Sequence, residues 1–393
     1  MLSDAEISRI RGRFRVFENK LYMNSCSQGA LSDAVEASFH EFLESWHKTG
    51  SPWDLWVQKY EQVRAQFASF IGGSADEVAV VPSASAGINA IASSLDFSNR
   101  DKVVMGELEF PTMGHIWMAQ RPRGARTEFL PPHGDELPTD LYAQKVDHKT
   151  AIVPVTHVCF MNGFRSDVRE ICRIAHAKGA YVLMDDYQDC GTRPVNVKAL
   201  GVDFYVSGTL KYLLGPSGVA FLYVRKELIP TLTPTISGWF AQRNPFAFDV
   251  THLELAPNAR RFESGTPPIP NIYGASAGIA LLQQIGLENI AGQVRALAQR
   301  LIEGARDLGI HSKTPPDSVG PLVVLQSSNV ETIIERLASE NVICSGRHDG
   351  LRVSFHVHNT QDDVNSVLEV LKENRRLMLP NAGAAWHRAE VRG

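Results

Sequence analysis

Short apolar runs alternate with amphipathic helical patterns between residues 77 and 224, and this alternation constrains the fold more than any other feature. The runs are rich in β-branched and aromatic residues, and the segments between them place apolar residues at helical spacing. The runs are EVAVVP (77–82), DKVVMGELEF (101–110), TEFLPP (127–132), TAIVPVTHVCF (150–160), YVLMD (181–185) and VAFLYV (219–224). Helical crossovers favour parallel pairing of such strands. The sequence therefore predicts a doubly wound, mainly parallel α/β sheet.

Several polar or aromatic residues fall at the ends of these predicted strands. Phe110, His157 and Asp185 each lie at or near a carboxyl end, and so does the turn that spans residues 207–211. In open α/β sheets, ligands bind beyond the carboxyl ends of the strands. We therefore expect a binding site at this edge. His157 is a candidate cofactor contact there, and the alternative is a histidine satisfied within the core.

Two residues at this edge suit an aldehyde cofactor. Lys211 lies in SGTLKYLLGPSG, among small and hydroxylated residues, where a lysine can form a Schiff base with a phosphorylated aldehyde. Asp185 closes an apolar strand, where a carboxylate is costly unless it meets a cation or hydrogen-bond donors. A protonated pyridine nitrogen is such a cation, so the pair favours pyridoxal phosphate (PLP). Asp186 points to the other face of the strand and is the alternative for this role.

Two further motifs carry candidate anion sites. SASAGIN begins a helix after a strand, and backbone N–H groups at a helix N-terminus bind anions, although Ser85 is also a plain helix cap. Arg352 lies in the apolar strand of GLRVSFHVHNT, where arginine suits bidentate binding of a carboxylate. The alternative is an edge-strand arginine paired with structural carboxylates.

Composition excludes several classes of function. A formal net charge of −4 gives no electrostatic reason to expect nucleic acid or an anionic membrane as a partner. No apolar run is long enough to span a bilayer, and the N-terminus has no signal-peptide core. The five cysteines form no CxxC pair, which argues against a disulfide framework or a zinc site and predicts a reducing cytoplasm.

The periodicity changes after Val224. Residues 236–272 are rich in Pro, Gly and aromatic residues, and long irregular segments of this kind are usually functional or interfacial. The aromatic residues around Trp239 favour a substrate side chain of apolar or aromatic character. We predict an N-terminal segment (1–20) packed on the small domain, a large cofactor domain (21–255), a small α+β domain (256–379) and a mobile tail (380–393).

At this point the motifs resemble a known family. VLMDDYQ followed by SGTLK, with SASAGIN upstream and RFESGTP and LRVSFHVHNT downstream, is similar to the class V aminotransferase family of fold type I PLP enzymes. This family includes cysteine desulfurases, selenocysteine lyases, kynureninases and isopenicillin-epimerase-like proteins. The resemblance covers about residues 20–375. It implies a large domain with a seven-stranded, mainly parallel sheet and a small α+β C-terminal domain.

The resemblance also implies roles for individual residues. Lys211 would hold PLP and act as general acid and base, Asp185 would pair with the pyridine nitrogen, and Gln188 would contact the phenolic oxygen. Phe110 falls where the family stacks a ring on the cofactor. The implied phosphate ligands are Ala84, Ser85, Ser207, Thr209 and, from the other subunit of a homodimer with a shared active site, Thr266. Arg352 would bind the substrate carboxylate with the help of the chain near Ser25–Ser27, and Trp239 is a further candidate substrate contact.

Two departures from the family pattern bear on the reaction. The loop before the arginine strand is shortened to CSGRHDG, and Cys344 ends the preceding strand, which argues against persulfide transfer. Phe160 replaces an asparagine that is frequent in the family. We expect a PLP enzyme that acts on the α-carbon of an amino acid, foremost a C–S lyase by β-elimination. An aminotransferase, an epimerase, a kynureninase-like hydrolase and a non-catalytic scaffold are the alternatives, while the missing GxGxxG disfavours an NAD enzyme.

Overall fold

The computed structural model describes residues 2–380, so all but the first residue of the predicted mobile tail lies outside the described residues. Within this range the chain forms twelve α-helices and twelve strands, joined by short 3₁₀ turns. The helices are α1 (Asp4–Arg11), α2 (Asp33–Thr49), α3 (Trp53–Phe70), α4 (Ala84–Ser94), α5 (Pro111–Met118), α6 (Thr139–Lys145), α7 (Val168–His176), α8 (Val197–Leu200), α9 (Ile269–Ile285), α10 (Leu287–Asp307), α11 (Val330–Ser339) and α12 (Gln361–Glu373). The strands are β1 (Leu21–Tyr22), β2 (Val78–Val81), β3 (Lys102–Gly106), β4 (Arg126–Leu130), β5 (Thr150–Thr156), β6 (Tyr181–Asp185), β7 (Phe204–Gly208), β8 (Ala220–Val224), β9 (Leu322–Gln326), β10 (Val342–Ile343), β11 (Ser345–Arg347) and β12 (Gly350–Ser354).

A seven-stranded sheet forms the centre of the fold, in the order β2-β8-β7-β6-β5-β3-β4. Strand β8 runs antiparallel to both of its neighbours, and the other pairs are parallel. The predicted mainly parallel α/β sheet is therefore confirmed. Parallel strands read as continuous apolar runs because helices cover both of their faces.

The alternating side chains of the central strands divide between two cores. Val182 and Met184 of β6 pack in the core that contains α3 and α7, whereas Leu183 packs in the core that contains α4 and α5. Successive side chains of a strand point to opposite faces, so each apolar strand contributes to both layers. The same alternation decides on which side of the sheet each residue near a strand end places its side chain.

The C-terminal part adds a small antiparallel sheet in the order β11-β12-β9, on which α10 and α11 pack. The N-terminal segment contacts this part, because β1 pairs with β10 and Arg11 forms an ion pair with Asp363 at 2.7 Å. Helix α9, which lies inside the predicted small domain, packs against α2 and α3. The domain boundaries remain predictions.

No helix between residues 2 and 380 combines the length and the apolar character that crossing a bilayer requires.

Candidate active site

A cavity of about 310 Å³ opens at the carboxyl ends of the central strands. It is lined by Pro82, Ser83, Ala84, Ser85, Ile88, Phe110, Thr112, Thr156, Val158, Phe160, Asp185, Tyr187, Gln188, Leu210, Lys211, Ser217, Gly218 and Val219. Six of the site residues predicted from the sequence meet here. These are Ala84, Ser85, Phe110, Asp185, Gln188 and Lys211.

Lys211 lies in the turn between β7 and β8, with its amino group in the cavity wall. Burial lowers the pKa of this amine to about 8, and nearby Asp185 opposes the shift only in part. The turn is held against the N-terminal segment, where the N–H of Gly29 donates to the carbonyl of Leu210 at 2.7 Å. A Cβ at Gly29 would lie 2.3 Å from the carbonyl oxygen of Lys211, so only glycine permits this approach. The lysine is therefore both fixed in place and partly neutral near physiological pH.

Asp185 is the last residue of β6 and faces the same cavity. The backbone N–H of Tyr187 donates to its Oδ1 at 2.9 Å, and no basic side chain within residues 2–380 forms an ion pair with it. Burial raises the pKa of Asp185 to about 6 against the effects of that hydrogen bond and of Lys211. A carboxylate in such a place is stabilised by a bound cation or donor.

Asp186 and His157 lie together behind the cavity wall. Nδ1 of His157 is 2.7 Å from Oδ1 of Asp186, and the hydroxyl of Tyr205 donates to Oδ2 of Asp186 at 2.8 Å. Asp189 completes a group of possible metal ligands, yet its Oδ2 already accepts from Nε of Arg193. Strand alternation explains the placement of His157, because Thr156 and Val158 line the cavity on either side of it in sequence. His157 is not among the residues that line the cavity, and its contact with a cofactor stays a prediction.

The N-terminus of α4 forms one end of the cavity. Ser83 caps the helix by accepting from the N–H of Ala86 at 3.1 Å. The backbone N–H groups of Ala84 and Ser85 find no acceptor among residues 2–380, and their side chains are small. Free N–H groups at a helix N-terminus attract anions, so this end of the cavity suits a phosphate.

Two predicted phosphate ligands use their hydroxyls elsewhere. Oγ of Ser207 lies 3.5 Å from the carbonyl oxygen of Asp186. Oγ1 of Thr209 donates to the carbonyl of Pro216 and also lies 3.1 Å from that of Val219. Both serine and threonine are buried, and neither lines the cavity. Their role toward a phosphate stays a prediction.

Thr266 and Trp239 also lie outside this cavity. Thr266 is exposed on the segment before α9. Trp239 packs edge-on against Trp53 and Phe240, with Phe248 stacked at 6.2 Å, and lines a separate cavity of about 590 Å³ formed by residues 239–254.

Arg352, in β12, is 2% exposed and contacts Phe160, which is one of the residues that line the cavity. Its Nη2 donates to Oγ of Ser27 at 2.8 Å and to Oγ of Ser345 at 3.0 Å, and its Nη1 donates to the carbonyl of Phe160 at 3.2 Å. All of these partners are neutral, and no carboxylate within residues 2–380 pairs with the guanidinium. Ser25 is also buried, and its Oγ has no hydrogen-bond partner in the same range. A buried cation without a counter-ion is costly, so this place suits an anionic ligand.

Sequence reasoning missed two residues of the site. Glu109 precedes Phe110, and its carboxylate accepts from the N–H of Thr156 at 2.9 Å and from its hydroxyl at 2.6 Å. Burial raises the pKa of Glu109 to about 8. The ring of Tyr187 lies beside Lys211, with its centroid 4.7 Å from Nζ. In the sequence, Glu109 falls inside the predicted strand run 101–110 and Tyr187 lies between Asp185 and Gln188. Only the folded structure reveals the contacts of these two side chains.

The observed groups fit PLP. Asp185 offers a carboxylate without a cation in the described chain, and the N-terminus of α4 offers free N–H groups. The amide of Gln188 lines the cavity, with its Nε2 donating to the carbonyl of Cys26 at 3.2 Å. Phe110, 45% exposed, provides an aromatic face over the cavity, and Lys211 provides a buried amine. This fold and this set of groups define a fold type I PLP-dependent enzyme.

Comparisons identify the family. The family model described as Aminotransferase class-V matches residues 33–367, and the chain belongs to this PLP-dependent family. An uncharacterized aminotransferase of Bacillus subtilis, YcbU, is 32% identical over 91% of this chain and 95% of its own length. A probable cysteine desulfurase of Pyrococcus abyssi is 30% identical over 81% of this chain and 83% of its own length. The apo structure of a cysteine desulfurase from Thermococcus onnurineus superposes with a TM-score of 0.86 at 25% identity, over 94% of this chain and 98% of that one.

Proposed function

We propose that the protein is a lyase that cleaves the C–S bond of a cysteine-type amino acid by β-elimination. The observation that carries a free amino acid as substrate is Arg352, which is a buried guanidinium with only neutral partners. An α-carboxylate would supply the missing negative charge in a bidentate geometry. Relatives named as cysteine desulfurases support sulfur-containing substrates.

Each group that lines the cavity would have its own role in the reaction. PLP, when bound, supplies an electron sink for the electron pair left at the substrate α-carbon. Lys211 would hold the cofactor and then remove the α-proton, since an amine with a pKa of about 8 is a competent base near neutral pH. Asp185 would keep the ring nitrogen protonated, and Phe110 would cover one face of the ring. The N-terminus of α4 would hold the phosphate.

The surroundings of Cys344 support elimination without persulfide transfer. Its side chain is 8% exposed, and burial raises the pKa of its thiol well above the ordinary range. Cys344 lies between β10 and β11, and the following hairpin closes tightly, with Arg347 paired to Gly350. A nucleophilic cysteine needs thiolate character and access to the substrate. Neither condition favours Cys344.

We also propose a homodimer with a shared active site. Thr266 is exposed and does not line the cavity of its own chain. The segment 236–272 exposes large apolar side chains, with Phe248, Val250 and Leu253 72%, 96% and 63% exposed, respectively. Apolar exposure of this kind is typical of a surface that binds another protein. All five cysteines are free and buried, which supports a reducing compartment such as the cytoplasm.

A panel of amino acids tests the reaction. Wild-type protein loaded with PLP is incubated with cysteine, cystine, alanine and kynurenine, each with and without a keto acid as amino acceptor, and pyruvate, sulfide, alanine formation, amino transfer and racemisation are measured. The proposal expects pyruvate together with a sulfur product from a sulfur-containing substrate. Amino transfer to a keto acid without pyruvate would overturn it in favour of the second candidate, an aminotransferase, which the name of the Bacillus subtilis relative favours. Racemisation or release of alanine from kynurenine would instead indicate an epimerase or a kynureninase-like hydrolase.

A further inference from the structure

Tyr187 connects the two parts of the chain that form the cofactor end of the cavity. Its backbone N–H donates to Oδ1 of Asp185, and its ring lies under the amino group of Lys211. The distance from Nζ to the ring centroid is 4.7 Å for Tyr187 and 5.9 Å for Phe110. An ammonium over an aromatic face is attracted when it lies within about 6 Å of the centroid. Tyr187 is therefore well inside this range, and Phe110 is at its limit.

The phenol of Tyr187 is fixed at its far end by Gly208. A Cβ built on Gly208 would lie 2.3 Å from Oη and 2.4 Å from Cε2 and Cζ of the ring, so any larger residue there would displace the ring. The backbone of Leu210 also faces the phenol oxygen. Burial and the charge of Asp185 raise the pKa of Tyr187 to about 12, so the phenol stays neutral. The ring is thus held at both ends, by its own backbone and by the turn that carries Lys211.

We propose that Tyr187 is a positioning residue whose ring holds the amino group of Lys211 in the cavity beside Asp185 before the cofactor binds. The inference rests on the proposed role of Lys211 as the cofactor lysine. In this role the ring of Tyr187 acts through its aromatic face and transfers no proton. The amino group of Lys211 then already lies in the cavity where the aldehyde cofactor would bind.

Several charged or titratable groups face Lys211 from the surrounding elements. Asp185 at the end of β6 and Cys26 in the N-terminal segment favour its protonated form, while Arg352 in β12 and Arg347 in β11 disfavour it. The ring of Tyr187 adds an attraction for the cation, which opposes the effect of burial. Removal of the ring should therefore lower the pH at which Lys211 loses its proton.

The test measures the titration of Lys211 in the full-length, cofactor-free protein. The rate of acetylation of Lys211 by acetic anhydride is followed by peptide mass spectrometry as a function of pH, and the midpoint is compared among variants. Tyr187→Leu is expected to lower the midpoint by roughly 0.5 to 1.5 pH units. Tyr187→Phe keeps the ring and is expected to retain the wild-type midpoint. Phe110→Leu, which removes the more distant ring, is the matched control and is expected to shift the midpoint less.

Gly208→Ala gives an independent check, because the added methyl group would push the ring aside. It is expected to lower the midpoint as Tyr187→Leu does, and the double variant is expected to show no further shift. An unchanged midpoint in Tyr187→Leu, or equal shifts in Tyr187→Phe and Tyr187→Leu, would overturn the proposal. If Tyr187→Leu does not fold by circular dichroism, Tyr187→Met is judged by the same criterion. The measurement needs no cofactor, so it is separate from borohydride trapping of loaded wild-type protein, which reports whether Lys211 binds PLP.

Discussion

His157 and Asp186 form a buried hydrogen bond, with 2.7 Å between Nδ1 of the imidazole and Oδ1 of the carboxylate. This bond turns Asp186 away from the cavity, whereas its neighbour Asp185 lines the cavity without a basic partner in the described chain. Two adjacent aspartates thus have different environments because successive side chains leave a strand in opposite directions. The arrangement assigns the proposed contact with the ring nitrogen to Asp185.

The two aspartates therefore make a matched pair of variants. Asp185→Asn is expected to lower kcat by roughly 100-fold or more, because a neutral amide cannot stabilise a protonated ring nitrogen. Asp186→Asn is expected to retain the cofactor absorption but to lower the free energy of unfolding by about 3 kcal/mol, since it breaks a buried charged network. Steady-state kinetics, absorption spectra and urea unfolding check these results. Loss of absorption in Asp186→Asn with an unaffected Asp185→Asn would contradict the assignment.

Arg352 provides a prediction on substrate affinity. Arg352→Ala is expected to raise KM for the amino acid by roughly 30-fold or more, and Arg352→Lys is expected to recover only part of this loss, because lysine lacks the planar fork. Binding of the cofactor should be retained, since Arg352 does not line the cofactor cavity. Ser27→Ala, which removes one neutral partner of the guanidinium, is the control and should raise KM much less. An unchanged KM in Arg352→Ala would show that the carboxylate binds elsewhere.

Cys344 separates elimination from persulfide transfer. Because the thiol is buried and its pKa is raised, Cys344→Ser is expected to leave the rate of sulfur release from cysteine or cystine within about twofold of wild type. Release of sulfur product and pyruvate is measured side by side in the two proteins. A loss of 100-fold or more, with an intact cofactor spectrum, would indicate a nucleophilic role for Cys344.

Two stacked histidines predict acid sensitivity of the fold. His356 and His358 are fully buried, with ring centroids 5.3 Å apart, and both ring nitrogens of His358 lack a hydrogen-bond partner within residues 2–380. Burial lowers the pKa of His356 to about 4. Burial also lowers the pKa of His358 well below its ordinary value, and the nearby His356 and Arg11 lower it further. Since the unfolded chain keeps a histidine pKa near 6.5, it binds more protons than the folded chain below that pH. The contribution of the two neutral histidines to the free energy of unfolding is thus fully present above about pH 6.5 and is lost as the pH falls toward 4.

His358→Phe tests this account. The new ring would lie between Phe14 and Phe17, whose centroids are 4.7 and 4.9 Å from that of His358. The variant should raise the free energy of unfolding by roughly 1 kcal/mol or more at pH 8, because it removes two unpaired buried nitrogens, and by a larger amount at pH 5. Urea unfolding at both pH values measures the difference. Equal gains at pH 5 and pH 8 would rule out the proton linkage.

The sequence was sufficient to predict the layout of the fold. The structure places Asp185 and Lys211 in one cavity, and their roles toward a cofactor stay predictions. Apolar runs interrupted by helical patterns indicated the parallel sheet, and Asp185 and Lys211 stood out because a charge at the end of an apolar strand needs a partner. Contacts between distant segments could not be predicted in this way. Glu109 meets Thr156 only because β3 and β5 are neighbours in the sheet, and the ring of Tyr187 reaches Lys211 only because β6 and β7 are.

The placement of His157 could have been predicted more closely from the sequence. His157 lies between Thr156 and Val158, which both line the cavity. Because every second side chain of an extended segment faces the same side, the side chain of His157 is expected to face the opposite side. The hydroxyls of Ser207 and Thr209 illustrate the opposite case, because their acceptors are backbone carbonyls, that of Asp186 for Ser207 and those of Pro216 and Val219 for Thr209. No local pattern shows where a hydroxyl finds an acceptor so far along the chain.

We expect Lys211 to bind PLP covalently in the cavity that it shares with Asp185. The most direct test of this expectation is borohydride reduction of PLP-loaded protein, followed by peptide mass spectrometry and comparison with Lys211→Ala. The account predicts a visible absorption band that borohydride removes, a phosphopyridoxyl mass on the peptide that contains Lys211, and neither feature in Lys211→Ala. Wild-type protein that stays colourless after addition of PLP, or a label on a different lysine, would contradict the account.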